Sequence, residues 1–481
     1  MRANELHLSL EPDRKGPLYL QVAEAILGAI RERRILPGVA LPGVRELAER
    51  LGVTVNTILA ALRQLQDQGW LTSQERSGFF VADPLPKLPA AAAGSAGAAA
   101  PGFDLPGHLQ PITSAANVLM DLTDGLADAR LAPSVALGRA YQRGLKLKGP
   151  KLLGEADFKG LPRLRQALAE HLKTTRGILA EAEQILVLRS TTMAATIVAR
   201  ALLGPEGGPV AVENPGNPLV WEALRQAGAA LVALPVDREG ARTEPLETLA
   251  DSGADRPRLV VLSPQCQFPT GVALGAERRA RLLELARRHR FAVLELDPEF
   301  DYLAAGGLPP LASLAPGQVI HVGSLSRVLA PGVRISYAVA PEPLAGLLAR
   351  ARQHVDWMGD PVQEWALAEL ILDGELQRQL LRVRKAAAER REALEDALRH
   401  AQAGRLGWDA GHGAMALWLQ GVGVLEDPAK FTLWVRSCQA VGIKLRLGSH
   451  YDLEGRPRSA TRLGFTGHTP EELQRAVALM G

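Results

Sequence analysis

The sequence predicts an α/β protein in two folded parts: a small N-terminal winged helix-turn-helix, and a large domain on a mostly parallel sheet with a smaller C-terminal lobe. Three observations predict this. Residues 84–116 are mostly Pro, Ala and Gly with few large apolar side chains, a composition that buries too little surface to fold by itself and reads as a linker. Before it, three short helical periodicities give way to a strand-turn-strand pattern. After it, over residues 117–481, continuous apolar runs alternate with helical stretches, as expected for strands covered on both faces.

In the first part, residues 14–83, Leu18, Val22, Ala25, Ile26 and Ala29 recur at helical spacing, so Leu18 to Glu32 is an amphipathic helix. Leu36-Pro37-Gly38 ends it, since Pro and Gly both interrupt a helix. Val44 to Leu51 is a second helix and Gly52 turns the chain. Thr54 to Gln68 is a third, with Thr54 as the N-cap because its hydroxyl can accept from a first-turn N–H. Leu71 to Val81 reads as a hairpin around Glu75-Arg76-Ser77-Gly78.

In such a motif the start of the second motif helix faces the major groove of double-stranded DNA. Those positions are Thr54, Val55, Asn56 and Thr57, with Arg45 on the preceding helix and Ser77 and Gly78 at the wing tip. Residues 1–82 hold ten Lys/Arg against nine Asp/Glu. Phosphate binding therefore rests on the placement of Arg31, Arg33, Arg34, Arg45, Arg63 and Arg76, not on bulk charge.

In the large domain the strand candidates are Ile185–Leu188, Val210–Val212, Ala230–Leu234, Leu259–Leu262, Ala292–Leu296, Val319–Val322 and Ile335–Val339. From about Trp365 the chain is helix-rich. Later strands near Ala414–Leu419 and Arg462–Phe465 mark the smaller lobe.

A net charge of +3 on 481 residues is only a weak hint of anionic partners. Two cysteines, Cys266 and Cys438, make no disulfide framework and suit a reducing cytoplasm. The N-terminus is polar and charged, and no run of about 20 apolar residues exists, so a cytoplasmic protein without a membrane span is expected. No metal site is expected.

The segment from Pro17 to Leu71 resembles GntR-type regulators from end to end, with Gly43-Val44 where the family carries two small hydroxyl residues and Val55 where an arginine is common. Beyond residue 117 the pieces LLGEADFKGLPRLRQALAEHL, VLRSTTMAA, VENPGNP, SPQCQFPTGVAL, LELDPEFDY, GSLSRVLAPGVRISY and TRLGFTG resemble, in family order, the aspartate-aminotransferase fold of fold-type I pyridoxal-phosphate (PLP) enzymes. The two together resemble MocR-type regulators. That resemblance implies a homodimer reading a promoter operator, with a large domain that in typical members senses a PLP–amine adduct.

It also implies site residues. Ser190 and Thr191 open a helix after a strand, where backbone N–H groups and the helix dipole favour a phosphate. Ser324, Ser326 and Arg334 match the other phosphate ligands, and Arg462 matches the arginine that forks onto a substrate carboxylate. Against these stand losses. Arg327 holds the Schiff-base lysine position, and a guanidinium with a pKa above ~12 cannot give up its proton and attack an aldehyde.

Asn217 replaces the ring-stacking aromatic. Glu155 stands where a partner-subunit tyrosine reaches the phosphate, and Ala387 where another tyrosine is common. In the acidic motif two alignments are open. One puts Leu296 and Pro298 at the pyridine-nitrogen and ring-hydroxyl positions, the other Asp297 and Phe300. Arg327 is free to pair with Asp297 or to hold an anion in the old pocket. The expectation is a regulator with a catalytically inactive domain, no covalently bound PLP, and a role in dimerisation and sensing of a small anionic effector. The alternatives are a PLP-dependent aminotransferase or regulator binding the cofactor noncovalently, and a protein-interaction module.

Overall fold

The computed structural model describes residues 16–74, 77–86, 118–253, 256–303, 307–409 and 414–481. Most of the linker, residues 87–116, lies outside them, as do residues 14–15 and Arg76. The chain divides into two compact units, residues 1–112 and 113–481.

The first unit carries α1 (Leu18–Arg31), α2 (Val44–Leu51), α3 (Val55–Asp67) and the strands β1 (Leu71–Gln74) and β2 (Gly78–Val81). The strands pair antiparallel, Leu71 opposite Val81. Val22, Ile26 and Ile30 of α1 meet Ile58, Leu62 and Leu65 of α3 in one core closed by Trp70 and Val81; of the stripe expected on α1, Val22, Ile26 and Ala29 are buried, whereas Leu18 at the helix start is 52% exposed. Thr54 caps α3, its hydroxyl accepting from Thr57 N–H at 3.2 Å.

The second unit begins with β3 (Met120–Asp121), then α4 (Ser134–Leu152) and α5 (Pro162–Arg176). The sheet follows: β4 (Ile185–Leu188), α6 (Thr191–Leu203), β5 (Gly208–Asn214), α7 (Pro218–Gln226), β6 (Ala229–Asp237), β7 (Gly240–Ala241), α8 (Glu244–Asp251), β8 (Leu259–Leu262), α9 (Ala276–His289), β9 (Ala292–Leu296), α10 (Leu311–Leu314), β10 (Val319–Ser324) and β11 (Ser336–Val339). The eight strands run in the order β4-β11-β10-β9-β8-β5-β6-β7. Pairing is parallel from β10 through β6 and antiparallel at β11 and at the edge strand β7.

Helices cover both faces. Leu294 and Leu296 of β9 pack with Ala194 and Val198 of α6 and Leu224 of α7. Val293 packs on the other face with Leu168 of α5 and Leu285 of α9. This two-sided burial is why the strands read as continuous apolar runs.

Then come α11 (Glu342–Gln353), α12 (Pro361–Leu372) and the long α13 (Glu375–Ala401), which leads into the smaller lobe. That lobe holds β12 (Leu406–Gly407), β13 (Ala416–Gly421), α14 (Pro428–Ala440), β14 (Ile443–Lys444), β15 (Ala460–Gly464) and α15 (Pro470–Leu479). β13 sits between β12 and β15. β14 takes β3 as a parallel partner, Ile443 opposite Met120. No described helix is long and apolar enough to cross a membrane.

Candidate functional site

In the first unit Arg45 projects from the second residue of α2, exposed and with no side-chain partner among the described residues. At the start of α3, Val55 is 42% exposed and Asn56 is also exposed. Thr54 and Thr57 are less available, because their hydroxyls bond each other at 2.8 Å in addition to the cap. Gly78 begins the second wing strand at φ +97 with nothing near its Cβ position, so the backbone, not crowding, calls for glycine there. Ser77 N–H donates to the carbonyl of Gln74 at 3.0 Å. Of the six arginines expected at phosphates, Arg34 pairs with Glu32 at 2.7 Å. Arg31 lies 5.4 Å over the Trp70 ring.

In the second unit the altered site is built from loops at the carboxyl ends of the strands. Ser190 caps α6, accepting from Met193 N–H at 3.1 Å, and bonds Thr192 Oγ1 at 2.9 Å. Thr191 opens the helix, half-buried. Ser324 Oγ and Ser326 Oγ both donate to the carbonyl of Ile335, at 3.3 and 3.1 Å. A hydroxyl has one proton to give, so neither serine keeps one for a phosphate in this arrangement. Arg334 is exposed in the left-handed region at φ 51, with no side-chain partner among the described residues.

Asn217 caps α7, its side chain accepting from Leu219 N–H at 3.0 Å. Together with Leu296, Glu213, Trp221 and Phe268 it lines a cavity of only about 20 Å³, room for about one water molecule. Burial pushes the Glu213 carboxyl up to about 8.

Leu296 therefore lies on the α6 face of the sheet, whereas Asp297 does not join Ser190 and Thr191. Its carboxyl lies in the field of Arg176 on α5 and Arg279 on α9, beside Glu295 and Asp301. Burial and those acidic neighbours push it well above the usual carboxylate range, and its Oδ2 has no hydrogen-bond partner. Arg176 is itself buried and pairs with Asp301 at 3.1 Å.

Arg327 does not pair with Asp297. Its Nη2 meets Asp124 Oδ2 at 3.1 Å and its Nη1 donates to the carbonyl of Gly125. Tyr302 OH donates to the backbone carbonyl of Arg327 at 2.8 Å. The expected open fork of Arg462 is likewise engaged inside the protein. Only 1% exposed, it meets Glu299 Oε1 at 2.5 Å, donates to the carbonyl of Pro269 at 3.1 Å, and stacks 4.4 Å over Phe268. Its Nε lies 3.5 Å from Asp124 Oδ1.

Sequence reasoning missed Asp124 and Glu299. Glu299 lies inside the acidic motif already singled out, but Asp124 carried no signal of its own. Glu155 is exposed, and Ala387 is buried in the core of the smaller lobe. A cavity of about 540 Å³ lies between β6 and the smaller lobe, lined among others by Trp418, Arg238 and Thr270.

Comparison with known proteins matches the two units separately. The family model of bacterial regulatory proteins of the gntR family matches residues 18–81, and that of aminotransferase class I and II matches residues 120–479. The probable rhizopine catabolism regulatory protein MocR of Rhizobium meliloti is 30% identical over 476 residues, covering 98% of this chain and 94% of its own. The chain belongs to the MocR-type regulators of the GntR family.

Another relative, the transcriptional regulator TauR of Rhodobacter capsulatus, is 28% identical over 98% of this chain and 97% of its own. Among solved structures, the α-aminoadipate aminotransferase LysN of Thermus thermophilus, complexed with N-(5'-phosphopyridoxyl)-L-leucine, superposes with a TM-score of 0.68. It is 26% identical and covers 76% of this chain and 91% of its own. This MocR-type chain is thus a transcriptional regulator with an aminotransferase-like domain, and its GntR head implies DNA binding.

Proposed function

We propose that this MocR-type regulator binds operator DNA as a cytoplasmic homodimer, and that its aminotransferase-like domain performs no transamination and serves for dimerisation and for sensing a small anion. One observation carries the reading: the residue at the Schiff-base position, Arg327, is a guanidinium in an ion pair with Asp124. It cannot serve as the nucleophile.

The residues around it do not fit PLP. Leu296 stands on the face where a ring nitrogen would need an acid. Asn217 is occupied as a helix cap. Two serine hydroxyls are spent on the Ile335 carbonyl. Losing the covalent link, the stacking partner and several hydrogen bonds removes terms of about 1–3 kcal/mol each. In the head, Arg45, Val55 and Asn56 are exposed to meet DNA, with Thr54 and Thr57 shaping the helix start and Ser77 and Gly78 shaping the wing.

The test is colour. Purified protein incubated with PLP and then freed of unbound cofactor is expected to show no visible Schiff-base band, whereas such a band abolished by borohydride, or transamination by the unmodified protein, refutes the reading. For the head, a mobility shift on the promoter region upstream of its own reading frame is expected to be sequence-selective and salt-sensitive. Absence of any such shift leaves only a protein-interaction role.

A further inference from the structure

We infer that a pocket at the amino edge of the eight-stranded sheet, walled by Arg287 and Arg290, binds a phosphate monoester carrying a small apolar body. This site is separate from the altered pocket and independent of the function proposed for it.

The strands fix its place. β9 and β10 run parallel, with Val319 opposite Val293, so both start at the same edge. Arg290 and Phe291 lead into β9, Gln318 leads into β10, and Pro341 and Leu344 mark the start of α11. With Arg287 they line a cavity of about 410 Å³, inside the range of about 300–1,000 Å³ usual for small-ligand sites. Ser190 and Ser324 lie at the opposite, carboxyl edge. A five-residue strand such as β9 separates the two edges by about 17 Å.

The lining sets the ligand class. Its only ionisable side chains are the two arginines. Neither guanidinium has a hydrogen bond or an ion pair among the described residues. Glu284, one turn before Arg287, is already bonded to Arg281 at 2.6 Å. The floor is hydrocarbon. Phe291 and Ile320 are 2% and 1% exposed, and Ala292 and Leu344 are half-buried beside them. Two positive charges with no carboxylate between them call for a dianion, and a guanidinium edge bonds two phosphate oxygens at once. The floor rewards a ligand that also buries carbon. A phosphate monoester meets both demands.

Arg290 also carries a backbone strain. It follows the last residue of α9 at φ 58 and ψ 40, the left-handed position that glycine commonly holds at a helix end because a Cβ is strained there. Compensation of the helix dipole explains a basic last turn, and Arg287, Arg288 and His289 already supply one. It does not explain a long side chain at the next position, where glycine would sit without strain. A binding role for the guanidinium does.

The experiment is titration calorimetry on the full chain with phenyl phosphate, compared with inorganic phosphate, benzoate and phenol. Phenyl phosphate is expected to bind about tenfold or more tightly than inorganic phosphate, which lacks the body, and than phenol, which lacks the charge. Arg290→Gly is expected to weaken that binding by about tenfold or more, while its Tm stays level or rises because the left-handed strain is relieved. Arg287→Gln is expected to weaken it in the same direction. A fall in the Tm of Arg290→Gly, which would mark a structural role, overturns the inference. So does binding that survives both substitutions, or no saturable binding of phenyl phosphate to the unmodified protein. Binding lost in Arg334→Gln but kept in Arg290→Gly places the ligand in the altered pocket and overturns it as well. A preference for benzoate over phenyl phosphate overturns the ligand class.

Discussion

Leu296 and Asp297 are consecutive residues whose side chains serve opposite faces of the eight-stranded sheet. Leu296 packs in the layer of α6 and α7, while Asp297 lies in the field of Arg176 and Arg279 from helices on the other side. Side chains alternate along a strand, so a shift of one residue exchanges the faces. Of the two alignments open in the sequence, the reading proposed above takes the one that puts Leu296 toward α6, with Asp297 among the charges of the other face.

This bears on rescue. Arg327→Lys restores an amine, yet leaves Leu296, Asn217 and the committed serines unchanged. After incubation with PLP and removal of the unbound cofactor, the variant is expected to show no visible Schiff-base band. A borohydride-sensitive band would mean that the cup still holds the cofactor once its nucleophile returns.

The Arg176–Asp301 pair is buried on both sides, with side chains 1% and 4% exposed. Asp301→Ala leaves an uncompensated cation in the interior, and removing one partner of such a pair costs about 3–5 kcal/mol. Denaturant unfolding of the large domain is expected to show a loss of that order. A change below about 1 kcal/mol contradicts it.

Glu213 supplies a pH signature. Its carboxyl is buried and accepts from Ser263 N–H at 3.0 Å, and burial raises its pKa to about 8. In the unfolded chain it ionises in the ordinary carboxylate range. As pH rises from there toward 8, the unfolded state loses a proton that the folded state keeps, so stability falls across that window. Glu213→Gln keeps an acceptor and removes the penalty. Its Tm is expected to exceed that of the unmodified protein by a few degrees at pH 8, with a smaller difference at pH 5. Parallel Tm–pH curves sink the assignment.

For the head, Arg45→Ala is expected to weaken binding to specific and nonspecific DNA alike and to reduce the slope of log K against log salt by about 1, as for loss of one phosphate contact. Thr54→Ala acts differently. It removes the cap of α3 and is expected to cost about 1 kcal/mol of head stability, seen in thermal melting before any change in sequence preference.

Much of the fold is legible in the residues. The helices of the head follow from their apolar spacing, and Thr54 caps where its hydroxyl permits. The inner strands of the large sheet announce themselves as unbroken apolar runs because helices cover both sides. The two-residue strands β3, β7, β12 and β14 carry no periodicity to read, and they are fixed by partners distant in sequence. The residues singled out at the proposed site, above all Arg327, could be named from the sequence, but their partners in the fold could not. Asp124 lies 203 positions from Arg327, and only the folded sheet and lobe bring them together. The likeness of Arg462 to a substrate-binding arginine concealed that Glu299 already meets its guanidinium.

The pairing of β3 with β14 has a mechanical meaning. The first described residues after the linker are stitched to the smaller lobe, through Met120 opposite Ile443 and the salt link of Lys444 to Asp121 at 2.6 Å. Between the linker and the eight-stranded sheet the chain is thus anchored first in the smaller lobe.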